Sequence, residues 1–451
     1  MLRRAASSSA SAVAAAAVAG ALAPRAQTKP TAAPRDVVRD VVRNAARFAV
    51  IALDLFCLAL SLAAALPRVL LDAAYQSATD SVPASLHELL DARTMSRVSG
   101  RAVHSVRLAD EKQVDLSHTT ERARLRVRFE GDGHDTLVFA KTHARSLAVR
   151  VFMTVLDLYR NEVCAYSTCG ARLAALGAPR VYAAKWSPSR FLLIMEDLSS
   201  INARFPNVGD TRLSQGQAEG VLSVVARLHC AYWGPGNLPP GVWTPATRPG
   251  GTFFRVVGLG ALKAAVKRYP DLMTPYVQAL VARVVWRFSE IDAYLNTVQP
   301  QVLTHGDTHI GNVYMFNSPD QPESEERIGL LDFQCLAQDH PMRDVAYFLV
   351  TSYDSDALAA HEPALVRSYL ASLRDHGAPP AEIPTFERAM AVYRIQLAKI
   401  LLIVLVGAGF AGITEESVGR VGLSRMVRAV ERHDVHGALE REVFQASSRP
   451  R

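Results

Sequence analysis

The stretch VLTHGDTHIGNVYMF, residues 302–316, places His305, Asp307, His309 and Asn312 within eight residues, behind an apolar run. Three chemistries suit these residue types. His305, Asp307 and His309 alternate, so an extended strand would aim all three the same way, with His340 available as a fourth transition-metal ligand. Gly306 and Gly311 favour a turn over such a strand, and nothing else in the sequence assembles the supporting groups of a metallohydrolase. A second reading is structural, with polar side chains capping nearby backbone. The third is phosphoryl transfer.

Spacing supports the third. Asp307 and Asn312 stand five apart, the separation of base and metal-binding amide in the H-R-D-x-x-x-x-N loop of kinases. Twenty residues past Asn312, the apolar strand IGLLDFQ ends in Asp332-Phe333, where a D-F-G aspartate would fall. Moving a γ-phosphoryl group needs one carboxylate to orient and deprotonate the acceptor hydroxyl. It also needs an amide and a second carboxylate to hold Mg2+ against the phosphates, cancelling charge that would repel the nucleophile. Oxygen ligands suit Mg2+ far better than a histidine cluster would.

Taken together, HGDTHIGN, LLDFQ and HPMRDVAYFL (340–349) resemble the aminoglycoside/choline phosphotransferase superfamily of protein-kinase-like folds. LSVVARLHCAYWG (222–234) resembles its ecdysteroid-kinase-like (CHK kinase-like) branch. The resemblance covers residues 80–440 and implies ATP and Mg2+ as cofactors and a small-molecule hydroxyl as acceptor. It further implies that His305 supports the catalytic loop, Asp307 is the base, Asn312 and Asp332 bind Mg2+, and Asp344 braces the loop from the following helix.

The remaining parts should lie upstream. Lys141 ends LVFAK, a strand like the kinase V-A-I-K, and would contact the α- and β-phosphates; Glu162 in YRNEVCAY is its expected partner, with Asp157 as competitor. LLIMEDL resembles the hinge, where backbone groups of Met195, Glu196 and Asp197 would hydrogen-bond adenine. One departure stands out: VDLSHTTERARLRV (114–127), the nucleotide-covering segment, has no glycine. Backbone amides of Ser117–Thr120 would have to cover the phosphates with Cβ atoms in the way, aided by the hydroxyls of Ser117, Thr119 and Thr120. That departure keeps open a catalytically weak, nucleotide-binding or scaffold protein at a membrane.

The elements that must position these groups give an α+β, two-lobed protein-kinase-like fold with an N-terminal hydrophobic helical extension. Residues 101–141 read as strands around the turn EGDGHD, 149–176 as one helical pattern, and FLLIMEDL as a buried strand. Beyond residue 210 the pattern is helical, interrupted at 302–335 by two short strands. The expected domains are a β-rich lobe at 80–197 and a mainly helical lobe at 198–445.

Residues 1–35, rich in Ala, Ser and Arg with no acidic residue, suit an organelle transit peptide, with a secretory signal or a disordered tail as competitors. Residues 36–75 follow as an amphipathic, hydrophobic helix. Arg35, Arg39, Arg43 and Arg47 recur every fourth residue, and Phe48–Leu66 is apolar except for Asp54. A charge there makes spanning a bilayer costly, so the expectation is a helix that lies on a membrane or packs on the protein, with residues 36–71 as the membrane-associating segment. The kinase-like lobes then belong on an ATP-containing side, organellar, membrane-associated or cytoplasmic.

Composition excludes other classes. Of the net charge of +7, the first 47 residues carry +6, which leaves residues 48–451 near +1 and gives little electrostatic reason to bind nucleic acid. The five cysteines are scattered with no C-x-x-C, so neither a disulfide framework nor a structural zinc site is expected. The acceptor should not be a protein. Gly306 replaces the arginine that reads a phosphorylated activation loop, and only ten residues separate Phe333 from Asp344. Trp233, Trp243, Phe253, Phe254, Tyr269 and Trp286 are candidates for an acceptor pocket or, more simply, for helix packing.

Overall fold

The computed structural model describes residues 34–79, 81–110, 114–116, 119–209, 212–317, 326–410 and 414–445. Residues 1–33 of the expected targeting segment 1–35, and the nucleotide-loop residue Ser117, lie outside these residues. The chain divides into two compact units, one of Met1–Ala64, Pro249–Asp292 and Ala398–Arg451, the other of Ala65–Arg248 and Ala293–Leu397.

In chain order the main elements begin with α1 (Pro34–Thr79), α2 (Ala92–Ser99), β1 (Val103–Leu108), β2 (Val114–Leu116), β3 (Thr120–Phe129) and β4 (Thr136–His143). Next come α3 (Leu147–Val155), α4 (Leu158–Ala175), β5 (Val181–Trp186), β6 (Phe191–Glu196) and α5 (Gln215–Ala231). Helices α6 (Gly251–Arg268), α7 (Pro275–Trp286) and α8 (Phe288–Thr297) precede β7 (Val302–Thr304), β8 (Val313–Asn317), β9 (Glu326–Leu330) and β10 (Ala337–Asp339). The chain then continues through α9 (Met342–Ser352), α10 (Ser355–Asp375), α11 (Phe386–Gly409) and α12 (Glu416–Arg432). The arrangement is the expected α+β, protein-kinase-like one: an antiparallel sheet first, then mainly helices.

The sheet follows the order β1-β3-β4-β6-β5, with β2 beside β3. Alternation along β3 explains its two faces. Ala123, Leu125, Val127 and Phe129 are buried with Val138, Ala140 and Ile194 in a core that also takes Leu89, Met95 and Val98. Arg122, Arg124, Arg126 and Arg128 take the opposite face, since side chains on a strand alternate. Gly131, at φ 84°, supplies the left-handed residue in the turn before β4. Helix α2 starts at Asp91, whose carboxylate accepts from the Thr94 N–H, and stops at Gly100 in the left-handed conformation.

Two elements differ from the sequence reading, and a third, α1, takes one of the two courses expected of it. The helical pattern 149–176 is two helices, because Asp157 adopts φ 57° between α3 and α4. Apolar periodicity runs through this break, so nothing in the pattern marks it. Three short strands, not two, fall within 302–335, where strands were expected to interrupt the helices, and β10 follows just beyond; β7 pairs with β10 and β8 with β9. Finally, α1 packs along a stripe. In the first unit Asp54 is buried and pairs with Arg255 at 2.5 and 2.9 Å. In the second unit Val69 is fully buried, and Asp72 accepts from the Ser187 hydroxyl (2.6 Å), the Ser189 N–H (2.9 Å) and the Ser189 hydroxyl (2.6 Å). Leu53, Phe56, Leu60, Leu70, Leu71 and Tyr75 remain exposed. Among the described residues, Ala49–Thr79 and Phe386–Gly409 are long and apolar enough to cross a membrane, and the second is mostly buried within the protein.

Candidate functional site

The candidate catalytic, metal-binding and nucleotide-binding residues within the described segments fall in the second unit with Trp233 and Trp243, whereas Phe253, Phe254, Tyr269 and Trp286 fall in the first. Lys141 lies near the end of β4, directly opposite Arg122 on β3 and Leu193 on β6. Opposed residues share a face of a sheet, so the ammonium emerges on the arginine face, away from the packed core. Its Nζ donates to both Glu162 carboxylate oxygens (2.8 and 2.9 Å) and to Asp332 Oδ1 (3.2 Å). Helix α4 delivers Glu162, while Asp157, the competitor, is paired with Arg160 instead. Sequence spacing could not decide between the two. The left-handed turn at Asp157 does, because it sets where α4 begins.

Two hairpin-like pairings assemble the rest. β8 and β9 are antiparallel with Val313 opposite Leu330, so Asn312 before β8 and Asp332 after β9 meet at one end, where the Leu331 N–H donates to the Asn312 carbonyl (2.8 Å). β7 and β10 pair Thr304 with Ala337, which brings His305 beside the segment following Asp332. The His305 ring is fully buried; its Nε2 bonds the Leu331 carbonyl at 2.7 Å and its Nδ1 accepts from the Asp307 N–H at 3.4 Å. This is a bracing position and not one facing an acceptor. His340 Nδ1 accepts from the Met342 N–H, and His309 Nδ1 from the Gly311 N–H. His305 thus has both ring nitrogens engaged and His309 and His340 one each, and no three His, Cys, Asp or Glu side chains gather as a metal cluster among the described residues.

Asp307 is half-buried on the turn. The Asn312 amide donates to its carbonyl (2.9 Å) and its carboxylate (3.3 Å), and His309 Nε2 lies 3.8 Å away. Donating through nitrogen leaves the Asn312 side-chain oxygen for another partner. Asp332, at φ 61°, uses one oxygen on Lys141. An amide oxygen and a carboxylate oxygen at one hairpin end are hard donors of the kind Mg2+ takes, so the residues fit that ion. Asp344, on α9, holds the turn from below: its carboxylate accepts from the His305 N–H (2.6 Å), the Gly306 N–H (2.8 Å) and His229 Nε2 (3.1 Å). His229 Nδ1 in turn meets the Tyr369 hydroxyl at 2.7 Å. Arg343 donates to the Gly306 carbonyl at 2.9 Å.

The charges set the protonation states. Burial raises the Glu162 carboxyl to about 7, even against the opposing Lys141 charge. Burial also works to raise Asp332, but Lys141 and then Arg122 prevail and hold it below its ordinary value. For Asp344, burial is outweighed by hydrogen bonding to His229, and its pKa is lowered. Burial, reinforced by the Asp307 charge, pushes the Tyr347 hydroxyl well above its ordinary value, so it stays a protonated neighbour.

The expected hinge is narrower than its residues suggested. Met195 stands opposite Phe139 on the Lys141 face. The Glu196 N–H already donates to the Arg180 carbonyl (2.8 Å), and the Asp197 carbonyl accepts from the Ser200 N–H (3.1 Å). The Asp197 carboxylate pairs with Arg124 at 2.7 Å. Thr119 is exposed before β3, its carbonyl accepting from the Tyr159 hydroxyl at 2.5 Å. Thr120 is buried and its hydroxyl accepts from Arg122 Nε.

Sequence reasoning missed Asn161. Its amide donates to the Gln334 and Leu336 carbonyls (2.8 and 2.9 Å) and its oxygen accepts from the Trp243 N–H (3.1 Å), fixing the segment after Asp332 to α4. Adjacency to Glu162 was the available signal. His229 and Arg343 were visible within quoted motifs, but their partners lie 115 and 37 residues away.

Residues 250–378 match the ecdysteroid kinase-like family, the branch that the sequence resembles; the match contains the Asp307 turn and Asp332 but neither Lys141 nor Glu162. No curated protein matches the chain. Solved structures similar to it include a microcompartment-associated aminopropanol kinase, at 13% identity over 74% of this chain and 93% of that one, TM-score 0.44. A choline kinase from Streptococcus pneumoniae is similar at 14% identity over 74% and 94%, TM-score 0.41. One from Cryptosporidium parvum is similar at 10% identity over 75% and 93%, TM-score 0.47.

Proposed function

We propose, for a chain whose residues 250–378 match the ecdysteroid kinase-like family, an ATP- and Mg2+-dependent kinase acting on a hydroxyl of a small molecule. The observation that carries the reading is one buried ammonium, Lys141, held between Glu162 and Asp332, at the hairpin end that also presents Asn312 and adjoins Asp307. Lys141 then offers its charge to the ATP phosphates while Glu162 fixes its direction. Asp307 accepts the acceptor's hydroxyl proton as that oxygen bonds to the γ-phosphorus. The bond from the γ-phosphorus to the β–γ bridging oxygen breaks, and ADP leaves. Asn312 and Asp332 would hold Mg2+, which when bound neutralises phosphate charge.

A small acceptor is supported by Gly306. Its φ is 81°, and a Cβ there would stand 2.1 Å from the Cys335 carbonyl oxygen, so no arginine can occupy the position that reads an activation-loop phosphate. Incubating the full chain with MgATP and a panel of amino-alcohols, sugar alcohols and steroid alcohols tests the reading. Acceptor-dependent ADP formation is expected. ATP binding without it would favour the non-catalytic nucleotide-binding protein, and better phosphorylation of a peptide library would overturn the acceptor class.

The exposed apolar face of α1 supports association with a membrane surface, and the burial of Asp54 and Asp72's bonds to the protein oppose a spanning role. Flotation of the full chain with liposomes tests this; a chain left at the bottom of the gradient refutes it. Organelle targeting by residues 1–35 is tested separately by a fluorescent fusion.

A further inference from the structure

The nucleotide-covering segment has no glycine, yet the sheet beside Lys141 holds a second cation. Arg122 stands directly opposite Lys141 in the β3–β4 register, so both side chains leave the same face. It is partly buried, and among the described residues its one hydrogen bond is from Nε to the Thr120 hydroxyl at 3.2 Å. Two of the other three arginines on the strand differ. Arg124 pairs with Asp197 and bonds Ser199, and Arg128 pairs with Asp135. Among the described residues no carboxylate pairs with Arg122, and its two terminal guanidinium nitrogens make no hydrogen bond.

We infer that Arg122 is a phosphate-binding residue for the nucleotide, supplying from a strand side chain the positive charge and donors that a glycine-rich loop would supply through backbone amides. The inference rests on the kinase reading above. Three observations carry it. The guanidinium's Nε is tied to Thr120, which orients the fork while leaving its terminal donors for an anion. The face is that of Lys141 and Met195, the side where phosphates and adenine were expected. Its charge also reaches the site, for it acts on Lys141, Glu162 and Asp332 alike. Arg122 adds a second positive charge to the face that carries Lys141, and a polyphosphate is an anion long enough to engage both. Side-chain donors also relieve the restriction that Cβ atoms place on close backbone approach.

One competing role is structural, because Asp115 occupies the register position across from Arg122 on β2. Calorimetric titration of the full chain with MgATP, MgADP and adenosine, for wild type, Arg122→Ala and Arg122→Lys, separates the possibilities. The alanine variant should lose about 10- to 100-fold in affinity for ATP and ADP, the range of a charge-assisted contact, while adenosine affinity and the thermal midpoint stay at wild-type values. Lysine should restore part of the loss. Unchanged ATP affinity in Arg122→Ala overturns the inference and leaves the kinase reading standing. A parallel fall in ATP affinity, adenosine affinity and thermal midpoint overturns it in favour of the structural role. A wild-type chain that binds neither nucleotide refutes the kinase reading itself, and the inference with it.

Discussion

Glu162→Ala should do more than detach Lys141. The ammonium is almost entirely buried and makes two bonds to Glu162, at 2.8 and 2.9 Å, against one to Asp332, at 3.2 Å. Removing one member of a buried ion pair costs about 3–5 kcal/mol, because the other charge is left without compensation. Here Asp332 remains within reach and offsets part of that, so the expected loss is about 2–4 kcal/mol. The second effect is functional. With Glu162 gone, the ammonium's remaining attraction is wholly toward Asp332, the carboxylate proposed for Mg2+. Strengthening that contact by one charge-assisted hydrogen bond, about 1.5 kcal/mol, raises the Mg2+ concentration needed for half-maximal nucleotide binding about tenfold. Glu162→Gln retains one acceptor for Nζ and should show a smaller shift in the same direction. Urea titration reads the first quantity, and ATP calorimetry at stepped Mg2+ concentrations reads the second without knowledge of the acceptor. If Glu162→Ala keeps the wild-type Mg2+ requirement, Asp332 does not compete for Lys141 as argued, and its metal role loses its support.

Asp307→Asn should lower turnover by about 10²–10⁴-fold with ATP affinity unchanged, since it removes the base and no phosphate contact; single-turnover phosphotransfer at saturating ATP checks this. Gly306→Ala should abolish activity and lower the urea midpoint, because the new methyl would meet the Cys335 carbonyl oxygen at 2.1 Å on a left-handed backbone; wild-type values in both assays would contradict the geometry. Acid should destabilise the protein through two buried histidines. Burial lowers His143 to about 4 and His340 to about 3, both from 6.5, so the unfolded chain takes up these protons first. Their contribution is intact above pH 6.5 and is lost as pH falls toward those values, at up to about 1.4 kcal/mol per pH unit for each. His340→Asn keeps an acceptor for the Met342 N–H and should flatten the slope of denaturation free energy against pH; an unchanged slope would remove His340 from that account.

The sequence was most informative where function and local geometry coincide. Asp307 and Asn312 belong to one turn, so a five-residue spacing was enough to connect them. Lys141 ends the apolar run LVFAK, and that run lies in β4. Partners far apart in sequence were not legible. Asp344 could be suspected of bracing the turn, but that it does so through the His305 and Gly306 amides, with His229 behind it, follows only from how α5, α9 and β7 pack. Arg122 was hidden for a different reason: four arginines alternate on β3, and only register tells which of them stands opposite Lys141. The hinge illustrates the opposite error. Met195, Glu196 and Asp197 looked equally available, yet pairing with Arg180 and Ser200 commits two of their backbone groups.

The ion pair between Asp54 and Arg255 has a consequence in time. The two residues are 201 apart in the chain, so the carboxylate and the apolar run around it leave the ribosome long before their partner exists. At roughly 5–20 residues per second, that interval is about 10–40 s of every synthesis. During it, the segment presents apolar surface with an uncompensated charge in its midst. Whatever meets nascent chains first, a chaperone, a targeting factor or a bilayer, has that long to act on α1 before Arg255 emerges and Asp54 can take up its place in the fold.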